Sequence, residues 1–324
     1  MKALRCRAFG AVADLRVEDV PSPVPGRGQV VVAVKAAGVN FPDVLIVEGK
    51  YQLKPDLPFS PGCELAGVVR TVGAGVTQLR PGDAVIGLVP FGAFAEEALV
   101  EATSAIPLPP ETDFVAAAAL MMAHGTALHA LKDRARLAAG ETLLVLGAAG
   151  GVGLAAVEIG RHLGATVIAA AGTDAKLDVC RSRGAEYVIN YNREDLRERI
   201  RALTGGRGAD VAYDAVGGAY AAPALRSVAW NGRYLVVGFA AGDIPQVPLN
   251  LPLLKGYSIV GVYWGEFMRR EPAANAANVK LIMEWAARGE MRPHVAGVYP
   301  LSRAVEALSA LARREVAGKV VITP

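Results

Sequence analysis

Leu143-Leu144-Val145-Leu146-Gly147-Ala148-Ala149-Gly150-Gly151-Val152-Gly153 joins an apolar, strand-like run to a glycine-rich turn and a helix-like segment, Val152–Leu163. Within it, Ala148-x-Gly150-x-x-Gly153 fits the spacing that grips a dinucleotide pyrophosphate. The small first residue makes the tight turn, the middle glycine lets the backbone approach the phosphates, and the last lets helix and sheet pack closely. A helix N-terminus behind such a turn offers N–H donors and positive dipole to an anion. Ala149, Gly150, Gly151 and Val152 are therefore expected to bind cofactor. The plainer alternative is a glycine turn used only for packing, and its setting inside a βαβ unit argues against that.

Downstream, strand-like and helix-like segments alternate. Strands are expected at Thr166–Ala171, Tyr187–Asn190, Asp210–Ala215 and Arg233–Val237, with helices from Asp174 and over Arg193–Leu203. That alternation implies right-handed crossovers and a doubly wound parallel sheet of Rossmann type. The first third is different: Gln29–Ala36, Leu65–Val72, Asp83–Leu88 and Phe94–Val100 are strand-like runs parted by Gly/Pro turns, and it reads as all-β. After helix-like Asn275–Arg288 and Ser302–Arg313 comes a closing strand, Lys319–Ile322. An α/β chain follows, with a β-rich domain over 1–122 and 265–324 interrupted by a nucleotide-binding domain over 123–264.

Specificity between the two nicotinamide cofactors turns on the end of the second strand. An NAD site places Asp or Glu there, ~20 residues past the glycines, to hold the ribose hydroxyls. This strand ends Ala170-Ala171-Gly172-Thr173, so Gly172 stands where the acid is expected, and Asp174 lies at the start of the next helix as its possible cap. Loss of the acid relieves repulsion against a 2′-phosphate. Lys176 and Tyr191 are placed to meet that phosphate, with Arg193 nearby, and Gly172 and Thr173 to line its site; the alternative for each alone is an exposed helix lysine or a loop tyrosine, and together they favour the phosphate. NADPH is the expected cofactor.

Among 324 residues, 52% are hydrophobic and 20% charged, which excludes a disordered chain. Apolar runs are far shorter than the ~20 residues of a spanning helix. The net charge of +3 is dispersed, with no basic stripe, so no nucleic-acid partner is expected. Met1-Lys2-Ala3-Leu4-Arg5 leads into no apolar signal core, and Cys6, Cys63 and Cys180 are scattered; both favour a cytoplasmic setting.

The order of motifs resembles the medium-chain dehydrogenase/reductase superfamily, in its zinc-free quinone oxidoreductase branch, which includes zeta-crystallin. The resemblance rests on Ala37-Gly38-Val39-Asn40-Phe41-Pro42-Asp43, Pro61-Gly62-Cys63-Glu64-Leu65-Ala66-Gly67, Gly125-Thr126-Ala127, the glycine turn and Gly318-Lys319-Val320-Val321. It implies a GroES-like fold for the β-rich domain. Zinc alcohol dehydrogenases of the superfamily carry Cys at Asn40, His at Cys63 and a third ligand near Met122-Ala123. One thiol does not make the three ligands that a catalytic zinc requires, so no metal is expected. Cys63 is expected to be a buried small hydrophobe. His129 is expected to be packed or on the surface and His162 and His294 on the surface, with a minor catalytic option for His124.

Without a Lewis acid, a hydride acceptor that spreads negative charge over several atoms suits a site holding only hydrogen-bond donors. The resemblance implies Asn40 as such a donor beside the nicotinamide, Tyr51 as a pocket residue orienting substrate or donating a proton, and Thr126 touching cofactor or substrate. It also implies backbone partners for the carboxamide in Val237-Gly238-Phe239 and Val262-Tyr263-Trp264; Val216 and Lys319 complete the expected cofactor set. Phe41, Tyr51 and Trp264 are candidate walls for a planar acceptor, with core packing the alternative. An NADPH-dependent quinone reductase is expected first. An enoyl or acryloyl-type reductase of α,β-unsaturated carbonyls is second, and a non-enzymatic NADPH-binding crystallin-like or RNA-associated protein third. The apolar edge Tyr257–Tyr263 is expected to pair two copies into a homodimer.

Overall fold

β1 (Lys2–Arg5) and β2 (Arg16–Asp19) form an antiparallel pair at the start of the computed structural model, which describes residues 1–109 and 111–324. β3 (Gln29–Val39) follows, then α1 (Phe41–Val47), β4 (Glu64–Val72), β5 (Ala84–Leu88), β6 (Glu97–Glu101), β7 (Ala105–Pro107) and the single turn α2 (Phe114–Ala117). Helix α1 departs from the all-β expectation. Its signal lies in Asn40-Phe41-Pro42-Asp43: the Asn40 N–H donates to Asp43 Oδ2 at 2.8 Å, and a proline within the first turn costs no helical bond.

Next, α3 (Met121–Leu128) leads through a π-helical turn, His129–Arg134, to the alternating segment. Its strands are β8 (Thr142–Leu146), β9 (Thr166–Ala171), β10 (Tyr187–Asn190), β11 (Ala209–Asp214), β12 (Val228–Val236) and β13 (Ser258–Gly261). The connecting helices are α4 (Gly151–His162), α5 (Asp174–Ser182), α6 (Leu196–Leu203), α7 (Ala221–Arg226) and α8 (Asn250–Lys255). The six strands run parallel in the order β10-β9-β8-β11-β12-β13, so the order reverses beside β8, the place where such sheets bind nucleotides. β8 is buried along its whole length, as a strand covered on both faces must be. α6 starts at Leu196, not Arg193, because Asp195 caps it by accepting from the Glu198 N–H. Residues 191–194 form a turn instead.

Helices α9 (Trp264–Arg270) and α10 (Pro272–Ala287) come next, then β14 (Val295–Pro300), α11 (Ala304–Ala312) and β15 (Lys319–Thr323). β15 pairs antiparallel with β3, Val320 opposite Val39 and Ile322 opposite Ala37, so the chain's last strand completes the first domain's sheet, β14-β15-β3-β4-β5-β7. The two units are Met1–Met122 with Pro293–Pro324, and Ala123–Arg292. The second crossing therefore falls after Arg292, rather than after residue 264. The reason is packing inside the nucleotide unit. Trp264 lies against Gly125, Phe267 stacks on His129 with ring centroids 3.9 Å apart, and Asn278 bonds both Asp133 and Lys132.

The first unit's core joins Leu4, Val32, Leu65, Val85, Phe94, Leu308 and Val320, and the second's joins Leu144, Ile168, Ile189, Ala212 and Tyr234. Gly67 is required where β4 crosses β3, since a Cβ there would lie 2.2 Å from the Ala33 carbonyl oxygen. Gly67→Ala should cost about 1–3 kcal/mol, read as a lower thermal midpoint; an unshifted melt would refute the packing assigned to this strand pair.

Candidate functional site

In the nucleotide unit, Gly147 rather than Ala148 makes the tight turn. It takes φ +62°, a left-handed conformation open to glycine, and the Gly150 N–H closes the turn on its carbonyl at 2.9 Å. Gly150 is the N-cap of α4, and a glycine cap brings no side chain to the first-turn N–H groups; the first intrahelical bond runs from the Leu154 N–H to Gly150 O at 2.8 Å. A Cβ on Gly153 would lie 2.3 Å from Gly147 O, so that glycine is what seats the helix on the turn. Gly151 and Val152 stand in that first turn, and Ala149 is buried beneath it. The result is a cradle shaped for phosphate oxygens.

Neighbouring strand ends complete the platform. Leu146 is in register with Asp214, and Asp214 with Val236. Asp214, absent from the sequence expectations, fixes the loop after β11: its Oδ1 accepts the N–H groups of Val216 and Gly217 at 2.7 and 2.9 Å, and its Oδ2 accepts the Tyr234 hydroxyl. Val216 is thereby pressed on the glycine turn, where a Cβ at Gly147 would come within 2.6 Å of its Cγ2. Phe239 packs over Gly217, and the Val262 N–H bonds Val236 O at 2.9 Å. Tyr263 is exposed. Trp264 is buried and its indole N–H donates to Asn275 Oδ1 at 3.1 Å, so this side chain packs the core and is no wall for an acceptor.

At the end of β9, Gly172 faces the turn after β10, because Ala171 and Asn190 are in register. Thr173, not Asp174, is the N-cap of α5; its hydroxyl accepts from the Lys176 N–H. Asp174 instead accepts from Asn190 Nδ2 at 2.9 Å and from Arg193, and these partners hold its carboxyl below the usual range. Two residues missed by the sequence reading complete the group. Asn192 Nδ2 donates to Gly172 O at 2.9 Å, and Tyr220 donates its hydroxyl to Asn192 Oδ1 while its ring lies 4.1 Å from that of Tyr191.

In the β-rich unit, Asn40 heads a buried polar centre. Lys319 Nζ donates to Val39 O at 3.1 Å, to Glu64 Oε2 at 3.2 Å and to Asn40 Oδ1, one acceptor for each ammonium proton. Asn40 Nδ2 points at Gly38 O and Glu64 Oε2, each at 3.2 Å, and Glu64 Oε1 accepts the Met122 N–H at 2.8 Å. Lys319 is turned inward, and its ammonium is spent on its own unit. Asn40 has its amide engaged at both ends, which braces β3 against β4 and Lys319.

Asp43 is wholly buried at the foot of this centre, and desolvation raises its carboxyl to about 7, against the lowering pull of the Asn40 N–H. Burial, with Asp43 and Glu64 close by, pushes the Cys63 thiol up, in keeping with an inert small side chain. The donor set does not fit zinc: an amide at Asn40 and one thiol at Cys63 stand where ligands are needed, and Met122-Ala123 offers no ligand of the Cys, His or carboxylate kind. No group of three or more His, Cys, Asp or Glu side chains among the described residues could hold a metal ion.

Tyr51 is half-buried against the core of its unit, Phe41 opens α1, and Thr126 is half-buried in α3. His124 is buried, its Nε2 2.9 Å from Glu158, which also pairs with Arg183. His129 bonds Asp133 at 3.0 Å.

These features have counterparts in known proteins. Residues 26–110 match the alcohol dehydrogenase GroES-like domain, and residues 151–279 the family described as zinc-binding dehydrogenase. Quinone oxidoreductase-like protein 2 of Mus musculus is 39% identical over 311 residues, 95% of this chain and 89% of that protein. The chain belongs to the quinone oxidoreductase-like family of medium-chain dehydrogenases/reductases. Its members are oxidoreductases. The solved structure of Escherichia coli quinone oxidoreductase complexed with NADPH matches with a TM-score of 0.94 and 29% identity, covering all of both chains. The CurK enoyl reductase structure matches with a TM-score of 0.90 and 25% identity, covering 99% of this chain and 98% of that one.

A neutral Asp43 has a measurable signature. Its folded-state value lies above the ~3.9 of an unfolded Asp, so the unfolded chain releases its proton first as pH rises. Stability is lost between about pH 4 and the folded value of about 7, then levels off. Asp43→Asn keeps an oxygen for the Asn40 N–H and removes that titration, so its thermal midpoint should gain on the wild type across this interval. A gap that stays constant with pH would show that Asp43 is ionised in the folded protein.

Proposed function

We propose that the protein is an NADPH-dependent reductase of quinones that works without a bound metal. The observation that carries the cofactor reading is the end of β9, where Gly172 replaces the acid that a ribose 2′-hydroxyl requires and a capped helix bearing Lys176 follows. The first turn of α4 would hold the pyrophosphate, with Val216, Phe239 and Val262 along the adjoining strand ends. Thr173, Lys176 and Tyr191 would take the 2′-phosphate. Bound NADPH would supply a hydride. The NADPH complex of the E. coli relative supports this reading.

The acceptor reading follows from charge. The Lys319 ammonium is buried and paired with Glu64 within its own unit, so it is not available to stabilise a localised alkoxide. An acceptor that delocalises its developing charge suits such a site. Tyr51 and Thr126 are proposed to orient it. A second reading, reduction of α,β-unsaturated carbonyls, is favoured by the likeness to CurK enoyl reductase. A second copy of this chain is the proposed partner across β13, an outer strand of its sheet whose Ile259 is exposed, and light scattering at twice the chain mass would support it. No helix among the described residues is long and apolar enough to cross a membrane.

NADPH oxidation measured against a panel of quinones and enones tests the acceptor. Turnover with quinones and not enones supports the first reading, and the reverse supports the second. For the cofactor, Gly172→Asp is the decisive variant. A Cβ there meets only the movable Asn192 Nδ2 at 3.0 Å and the Tyr191 ring at 3.4 Å, so the fold accommodates it. It should raise KM for NADPH at least about tenfold relative to NADH, ~1.4 kcal/mol. Unchanged cofactor preference would sink the assignment.

A further inference from the structure

Gly172 removes one carboxylate from the end of β9, yet Asp174 returns one only two residues later, at the first position of α5. Its side chain is exposed beside the same β9–α5 turn, so a free carboxylate here would repel a 2′-phosphate. It is not free. Arg193 Nη2 donates to both carboxylate oxygens, and Asn190 Nδ2 adds a third bond at 2.9 Å. Arg193 reaches Asp174 because residues 191–194 are a turn and because β9 and β10 end in register, Ala171 opposite Asn190. The turn itself is pinned, with the Arg193 N–H on Asn190 O at 3.0 Å and the Asn190 N–H on Glu194 Oε1 at 2.8 Å.

We infer that Arg193 is a specificity-determining residue that acts by neutralising Asp174, and that its cation is not primarily a ligand of the phosphate. This rests on the NADPH reading above. The two roles make opposite demands. Arg193 holds the carboxylate through Nη2, and what this pairing contributes to the neighbouring anion is cancellation of a negative charge. If Arg193 were itself the phosphate ligand, Asp174 would be a competitor for it, and removing Asp174 would tighten binding. If Arg193 is a mask, it matters only while Asp174 is present.

A four-variant cycle separates these. Kd for NADPH, NADH and 2′,5′-ADP is measured by titration on the wild type, Arg193→Ala, Asp174→Asn and the double variant. Both side chains are exposed, and Asn at 174 retains an acceptor for Asn190, so circular dichroism should show four folded proteins. Arg193→Ala should weaken NADPH and 2′,5′-ADP about fivefold, ~1 kcal/mol, leave NADH within a factor of about two, and lose this penalty as salt is raised. The double variant should return to wild-type affinity. A double variant as weak as Arg193→Ala, with wild-type preference for NADPH intact, overturns the masking role and makes Arg193 a direct ligand. A wild type that binds NADH as tightly as NADPH overturns the cofactor reading, and the inference with it.

Discussion

Two charges shut away from water hold the β-rich unit in one arrangement. Glu64 and Lys319 are both buried, and neither is tolerable there without the other; deleting one partner of such a pair leaves an uncompensated charge at a cost of roughly 3–5 kcal/mol. The ammonium takes three acceptors from β3, β4 and the start of α1, and the carboxylate takes the Met122 N–H in addition. One ion pair thus ties five segments together. It also explains why Gly38 has no side chain, since a Cβ there would lie 2.1 Å from Ala118 O and 2.7 Å from Glu64 Oε2.

The nucleotide unit solves a different problem. Its six parallel strands end together, and their ends carry turns made of glycine, short polar side chains and one buried aspartate. Asp214 spends one oxygen on two loop amides and the other on Tyr234, so the loop that presents Val216 is fixed from beneath. The glycine turn gains its shape from Gly147 and its closeness to the helix from Gly153. Rigid strands position the loops.

Much of this was open to reading from residue patterns. The glycine spacing, the alternation of strand and helix and the return of the last strand are local signals, and they place the fold and the cradle. The buried centre was not legible in the same way: Lys319 and Glu64 lie 255 residues apart, and no periodicity announces that a lysine points inward. For Trp264 the residue pattern leaves acceptor wall and core packing open, and only the side chain's burial and its bond to Asn275 decide for packing. The boundary near residue 264 was misplaced for the same reason, because Asn278 and Phe267 declare their allegiance only through side-chain partners. Asp174 and Arg193 were visible as single residues. That they form a pair depends on the register of two strands.

Because β15 closes the sheet of the β-rich unit, the order of synthesis constrains the order of assembly. Residues 123–292 are contiguous and can settle as soon as they emerge, since domains generally fold as units. Glu64 must wait for its counter-ion, and Asn40 for a donor, until residue 319 has been made. Until Lys319 is in place the β-rich unit carries an acid in its interior without its counter-ion, so its consolidation depends on segments from both sides of residues 123–292.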